Sequence, residues 1–114
     1  MKGPLSDKAR IQHILDAITE VGTYIADVTE DRFLQNSEKR FATIKQIEII
    51  GEACNKITNE LKQAHPEIPW RQVIGFRNIS IHEYHNVSFL IVWGIAANEL
   101  PVLKERFSKI LQEL

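Results

Sequence analysis

A chain of 114 residues with 44% hydrophobic and 25% charged residues can bury one core without disulfides or metals, and it has the composition of a soluble globular domain. A formal net charge of −1 provides no global positive field, so any RNA or DNA contact must come from a local basic patch or one assembled across two subunits. The single cysteine, Cys54, excludes an internal disulfide and suits a reducing cytoplasm, and no apolar run approaches the ~20 residues of a membrane span.

The opening MKGPLSDKAR lacks the apolar core of a signal peptide, so the expectation is a cytoplasmic protein with one domain over residues 1–114. Ile11, Ile14, Leu15, Ile18, Val21, Ile25 and Val28 recur at helical spacing and predict a helix near 7–28, capped by Ser6 or Asp7. TEDRFLQN holds only Phe33 and Leu34 as anchors and reads as a short helix or turn. A second long helix near 38–64 is expected, with Ser37 as cap and Phe41, Ile44, Ile47, Ile50, Cys54, Ile57 and Leu61 on its apolar stripe. Gly51 in its middle points to close approach of another helix. Cys54, inside that stripe, reads as a small buried hydrophobe.

HPEIP ends the second helix, because Pro66 disfavours helical geometry at His65 and Pro69 suits a first turn. A short helix follows from Trp70 to about Ile74, with Gly75 as its stop. Further helices are expected near 76–85, 88–98 and 101–113. Ser88 can cap FLIVWGIAANEL, which is apolar almost all round and so should be buried, partly against a second subunit. Pro101 forces a kink or a fresh start with Asn98 or Glu99 as cap. No window alternates with period two, so the fold class is all-α: an antiparallel bundle of about four or five helices.

RNISIHEYH, residues 77 to 85, concentrates chemistry: an arginine, two of the four histidines, a carboxylate and a tyrosine. His82 and His85 are three apart with Glu83 between, but HEYH is not the H-E-x-x-H zinc pattern and lacks a third ligand, so no metal is assigned. A Cys–His pair is weaker still, since Cys54 lies in another helix's stripe. Metal-free RNA cleavage needs a base for the ribose 2′-hydroxyl, an acid for the leaving oxygen and a cation for the charge building on phosphorus. Histidine can move protons near neutral pH, and arginine can grip phosphate oxygens in a bidentate fork. His82 and Arg77 supply these types, and Asn78 adds a neutral donor. On an ideal helix Arg77 and His82 are about 140° apart, whereas Arg77 and Tyr84 share a face. Either the helix begins irregularly after Gly75, or a two-fold axis gathers the motifs of two chains into one cleft. On residue types alone the plainer reading, a packing helix decorated with interface residues, is the stronger one.

Arg77-x4-His82-x-Tyr84 resembles the R-x(4–6)-H-x-Y motif of HepT-like toxins, a branch of the HEPN superfamily. IEIIGEA (47 to 53), PEIPW (66 to 70), GFRNISIHEY (75 to 84) and VWGIAANELPVLKERF (92 to 107) follow that family's order and spacing, so the likeness spans nearly the whole chain. The resemblance implies a helical homodimer that cleaves RNA without metal or cofactor in a cleft at the dimer interface. It makes Arg77 and His82 the catalytic pair, Asn78 a supporting polar residue, and Tyr84 the acceptor of AMP from a cognate MNT-type nucleotidyltransferase antitoxin. His85 departs from the aromatic residue relatives often carry, and Glu83 either acts in the cleft beside His82 or points to solvent. The competing class is a non-catalytic helical partner or regulatory subunit of a nucleotidyltransferase; a small-molecule-binding dimer has no positive support.

Overall fold

The computed structural model describes residues 6–79 and 88–114. Helix α1 (Asp7–Ile25) starts on Ser6, whose hydroxyl accepts from the Ala9 N–H at 3.1 Å. It buries Ile11, Ile14, Leu15, Ile18 and Val21, the stripe read from the sequence. The helix ends short of 28 because Ala26 turns extended and Asp27 takes φ 58°, a left-handed conformation that aspartate tolerates better than most residues. Helix α2 (Glu30–Gln35) begins on the Thr29 hydroxyl and sends Phe33 into the core, its ring centroid 5.2 Å from that of Trp93.

Helix α3 (Ser37–Asn55) is capped by Asn36 rather than Ser37. Asn36 is the non-helical residue, so its side-chain oxygen can reach the Lys39 N–H at 3.0 Å, whereas Ser37 is already in the first turn. The expected 38–64 helix is in fact two. It breaks after Asn55, and Thr58 caps α4 (Asn59–Ala64) by accepting from the Leu61 N–H. The apolar spacing hides this break because Ile57, outside both helices, still lies in the core. What holds it is tertiary: the Thr58 N–H and hydroxyl donate to the Asp7 carboxylate at 3.0 and 2.6 Å, tying the break to the start of α1.

His65 leaves the helical region ahead of Pro66, and α5 (Trp70–Gly75) follows with Pro69 before its first residue rather than in its first turn. Gly75 does not stop the chain. It has helical dihedrals and leads into a 3-10 turn, Phe76–Asn78. Helix α6 (Phe89–Gly94) runs through a π-helical turn, Ile95–Glu99, into α7 (Leu100–Glu113). A fresh start at Pro101 is therefore not found: the path is helical throughout, and Pro101 lies in the first turn of α7, with Glu99 at the cap position but making no side-chain cap hydrogen bond. Proline has no N–H for the carbonyl four residues back and its ring crowds that carbonyl. The widened turn absorbs the conflict, with the Leu100 N–H bonding Ile95 five residues back.

The fold is all-α, with no strand among the described residues. Helix α1 packs along both α3 and α7, and α3 also carries α5 and the 3-10 turn on its flank. The shared core includes Ile14 and Ile18 of α1, Ile44, Ile47 and Ile50 of α3, and Leu103, Phe107 and Ile110 of α7. The almost wholly apolar stretch at α6 is only half covered in the single chain. Val92 is fully buried, while Leu90 and Ile91 are 55% and 63% exposed.

Candidate active site

Arg77 and Asn78 occupy the 3-10 turn, and both side chains are exposed. The turn is built from below. Val73 of α5 and Phe76 are buried in the core, and the Ile79 N–H closes the turn on the Phe76 carbonyl at 3.0 Å. Ile79 then leaves helical geometry (φ −83°, ψ 87°). A helix running 76–85 is thus corrected at its start: its first residues form a separate 3-10 turn. Among the described residues the chain is irregular after Gly75, in a 3-10 turn that ends at Asn78. The shared helix face of Arg77 and Tyr84 assumed a regular helix through Ile79, so that argument does not hold. His82, Glu83, Tyr84 and His85 lie outside the described residues.

Contacts on two sides fix α5, and hence the turn, against the bundle. On the α7 side, Trp70 meets Phe107 edge-on with ring centroids 5.8 Å apart, and its indole N–H donates to the His65 carbonyl at 2.8 Å. Arg106 of α7 donates to the Glu67 carbonyl at 2.8 Å, and Gln72 donates to Glu99 at 2.6 Å. On the α3 side the contact is backbone to backbone at Gly51. The sequence pointed to a close approach at Gly51 but not to its partner; the partner is the peptide of Arg77. The Gln72–Glu99 and Arg106–Glu67 links join residues 27 and 39 positions apart, and no local pattern marks them.

The result is an anchored base under an exposed arginine. A guanidinium stays charged at any physiological pH and presents a planar fork of donors, suited to the non-bridging oxygens of a phosphodiester. The connection before α5 carries its own polar cluster: His65 Nδ1 lies 3.0 Å from the Glu67 carboxylate and Nε2 lies 3.7 Å from that of Glu113. Glu67 is held below the usual carboxylate value, chiefly by its own backbone N–H and then by the hydrogen bond with His65. Cys54 is fully buried, and burial pushes its thiol up to about 12. A thiol so firmly protonated is no nucleophile at neutral pH. Among the described residues no three His, Cys, Asp or Glu side chains gather as a metal site, and no helix is long and apolar enough to cross a membrane.

Comparison with known proteins places this geometry in a family. The family described as Ribonuclease HepT-like matches residues 14–110, which takes in the Arg77 turn and everything that supports it. Two Methanocaldococcus jannaschii proteins, each named "Putative RNase", are 34% identical to the chain; the matches cover 86% and 94% of it and 90% and 92% of the relatives. A Thermococcus cleftensis protein named "Probable ribonuclease HepT" is 35% identical over 92% of this chain and 96% of its own. No solved structure matches the chain. The chain belongs to the HepT-like ribonuclease family.

Proposed function

We propose that this protein is a metal-independent endoribonuclease, the toxin of a prokaryotic toxin–antitoxin pair, working in the cytoplasm as a homodimer with its cleft at the two-fold interface. The observation that carries the reading is the family match across 14–110, which contains Arg77-x4-His82 with Arg77 exposed on an anchored turn. Leu90 and Ile91, apolar and mostly exposed on α6, support a subunit interface.

In the proposed reaction a neutral His82 takes the proton from a ribose 2′-hydroxyl. The freed oxygen attacks the adjacent phosphorus, and the bond to the 5′-oxygen breaks as that oxygen takes a proton from solvent, to which His82 returns the one it removed. The products are a 2′,3′-cyclic phosphate end and a 5′-hydroxyl end. Arg77 holds the non-bridging oxygens through both N–H groups and opposes the charge that builds on them, with Asn78 adding a neutral donor. Tyr84 receives AMP from a cognate MNT-type nucleotidyltransferase; the added phosphate and nucleoside would compete for Arg77 and obstruct the RNA phosphate.

Cleavage of a mixed RNA pool tests the reading. Activity should survive EDTA and leave cyclic phosphate ends, and His82→Ala and Arg77→Ala should each lose about 10²–10⁴-fold with the fold intact. Arg77→Lys should also be strongly impaired, since an ammonium lacks the fork. Loss of activity in EDTA with rescue by magnesium would overturn the metal-free mechanism. A folded wild-type chain that cuts no RNA would leave the non-catalytic partner of a nucleotidyltransferase as the better reading.

A further inference from the structure

We infer that Gly51 is a positioning residue for Arg77; the inference rests on the proposed role of Arg77 at the RNA phosphate. Gly51 is buried in α3, one turn before the helix ends. A Cβ built there would lie 2.4 Å from the Arg77 backbone nitrogen, 3.0 Å from the Phe76 carbonyl carbon and 3.0 Å from the Val73 carbonyl oxygen. All three are backbone atoms, so no change of rotamer can make room. At Gly22, Gly75 and Gly94, by contrast, an added Cβ meets nothing within 4 Å.

Glycine inside a helix costs about 1 kcal/mol against alanine. At Gly51 that cost accompanies a specific gain: α3 and the α5 turn touch at the peptide that carries Arg77. The turn cannot simply tilt away, because Phe76 and Val73, on the same stretch, are 4% and 1% exposed and held in the core. To reach ordinary van der Waals contact an added methyl would drive the Arg77 nitrogen back by about 1 Å. The guanidinium would move with it. A displacement of about 1 Å in a group that must meet a transition state can cost on the order of 10²-fold in rate. Because the fork gains most as charge builds on the phosphate, the loss should fall on kcat and leave KM nearly unchanged.

The test is a double-mutant cycle on the whole chain, with Gly51→Ala and Arg77→Ala alone and together, and Gly22→Ala beside them. Rates are taken per folded molecule under single-turnover and saturating conditions. Gly51→Ala should lower kcat about 10–10²-fold with KM within about twofold, while Gly22→Ala keeps wild-type values. In the Arg77→Ala background Gly51→Ala should cost little more, because the residue it displaces is already gone. An equal loss in both backgrounds, or an unchanged kcat with only a lower Tm, would overturn the inference and leave Gly51 a packing residue. If Gly51→Ala does not fold, Phe76→Leu takes its place in the cycle. It loosens the same turn without adding a methyl, and an additive result there overturns the inference equally. A wild-type chain that cuts no RNA, or Arg77→Ala cutting as fast as wild type, removes the ribonuclease reading and the inference with it; active wild type with an additive cycle removes the inference alone.

Discussion

From Ser6 to Ala64 each helix begins on a side chain: Ser6, Thr29, Asn36 and Thr58 each accept from the backbone N–H three residues on. From Pro69 onward, among the described residues, no helical segment has a side-chain cap hydrogen bond; α5, the 3-10 turn, α6, the π turn and α7 all start without one. The first region carries its boundaries locally, each cap satisfying an N–H that the helix itself cannot. The second takes its boundaries from packing, through Val73, Phe76, Val92, Ile95 and Leu100. Arg77 sits in that second region, so its position depends on how elements meet rather than on what its own neighbours prefer.

This contrast can be broken at the core both regions share. Ile47, on α3, is fully buried, and Ile47→Ala should cost about 2–5 kcal/mol of unfolding free energy in urea. Cleavage per folded molecule should stay near wild type, in contrast to Gly51→Ala one turn along. A large kcat loss in Ile47→Ala would mean that general loosening of α3 disturbs the turn, and the division between the regions would lose its meaning.

The caps sharpen it further. Asn36→Ala should cost about 1 kcal/mol, and Thr58→Ala up to about 2 kcal/mol because it also loses the hydroxyl's bond to Asp7. Ser88, which precedes α6 but makes no cap hydrogen bond, should be replaceable by alanine at a cost under about 0.5 kcal/mol. Equal costs at Asn36 and Ser88, read from thermal melts of the three variants, would contradict the distinction.

The smallest effect is electrostatic and lies at the junction of the two regions. The Glu67 carboxyl titrates below its unfolded value, so its contribution is present above that value and disappears as pH falls through the lower, folded one. Glu67→Gln should therefore lower Tm slightly above about pH 5, where wild type holds that contribution, and converge on wild type as pH falls below it, so the acid fall is flatter in the variant. A steeper acid fall in the variant would reverse the sign.

What the sequence made legible follows the same division. The α1 stripe, a cap at Ser6 or Asp7, a short helix or turn at α2 and the exit at His65 can be read because apolar spacing, capping chemistry and proline act within a few residues. The break at Thr58 was missed although Thr58 and Glu60 mark a helix start, because Ile57 and Leu61 continue the apolar spacing across it. At Pro101 the sequence leaves a kink and a fresh start both open, because the conflict is relieved by a wider turn, a response that residue type does not announce. At the candidate site, chemistry was legible and geometry was not. Arg77 stands out by residue type and motif, yet its 3-10 turn rests on Gly51, 26 positions away, and on α5, whose Trp70 and Gln72 meet Phe107 and Glu99, 37 and 27 positions away in sequence.

Cys54 lies three residues beyond Gly51 on α3, fully buried, and it is the chain's only sulfhydryl. An alkylating or oxidising reagent can reach it only when the end of α3 opens, and oxidants have no second thiol in the chain to pair it with. The rate at which this thiol is labelled is therefore a clock for separation of α3 from its neighbours, including the turn that bears Arg77. It needs no engineered probe.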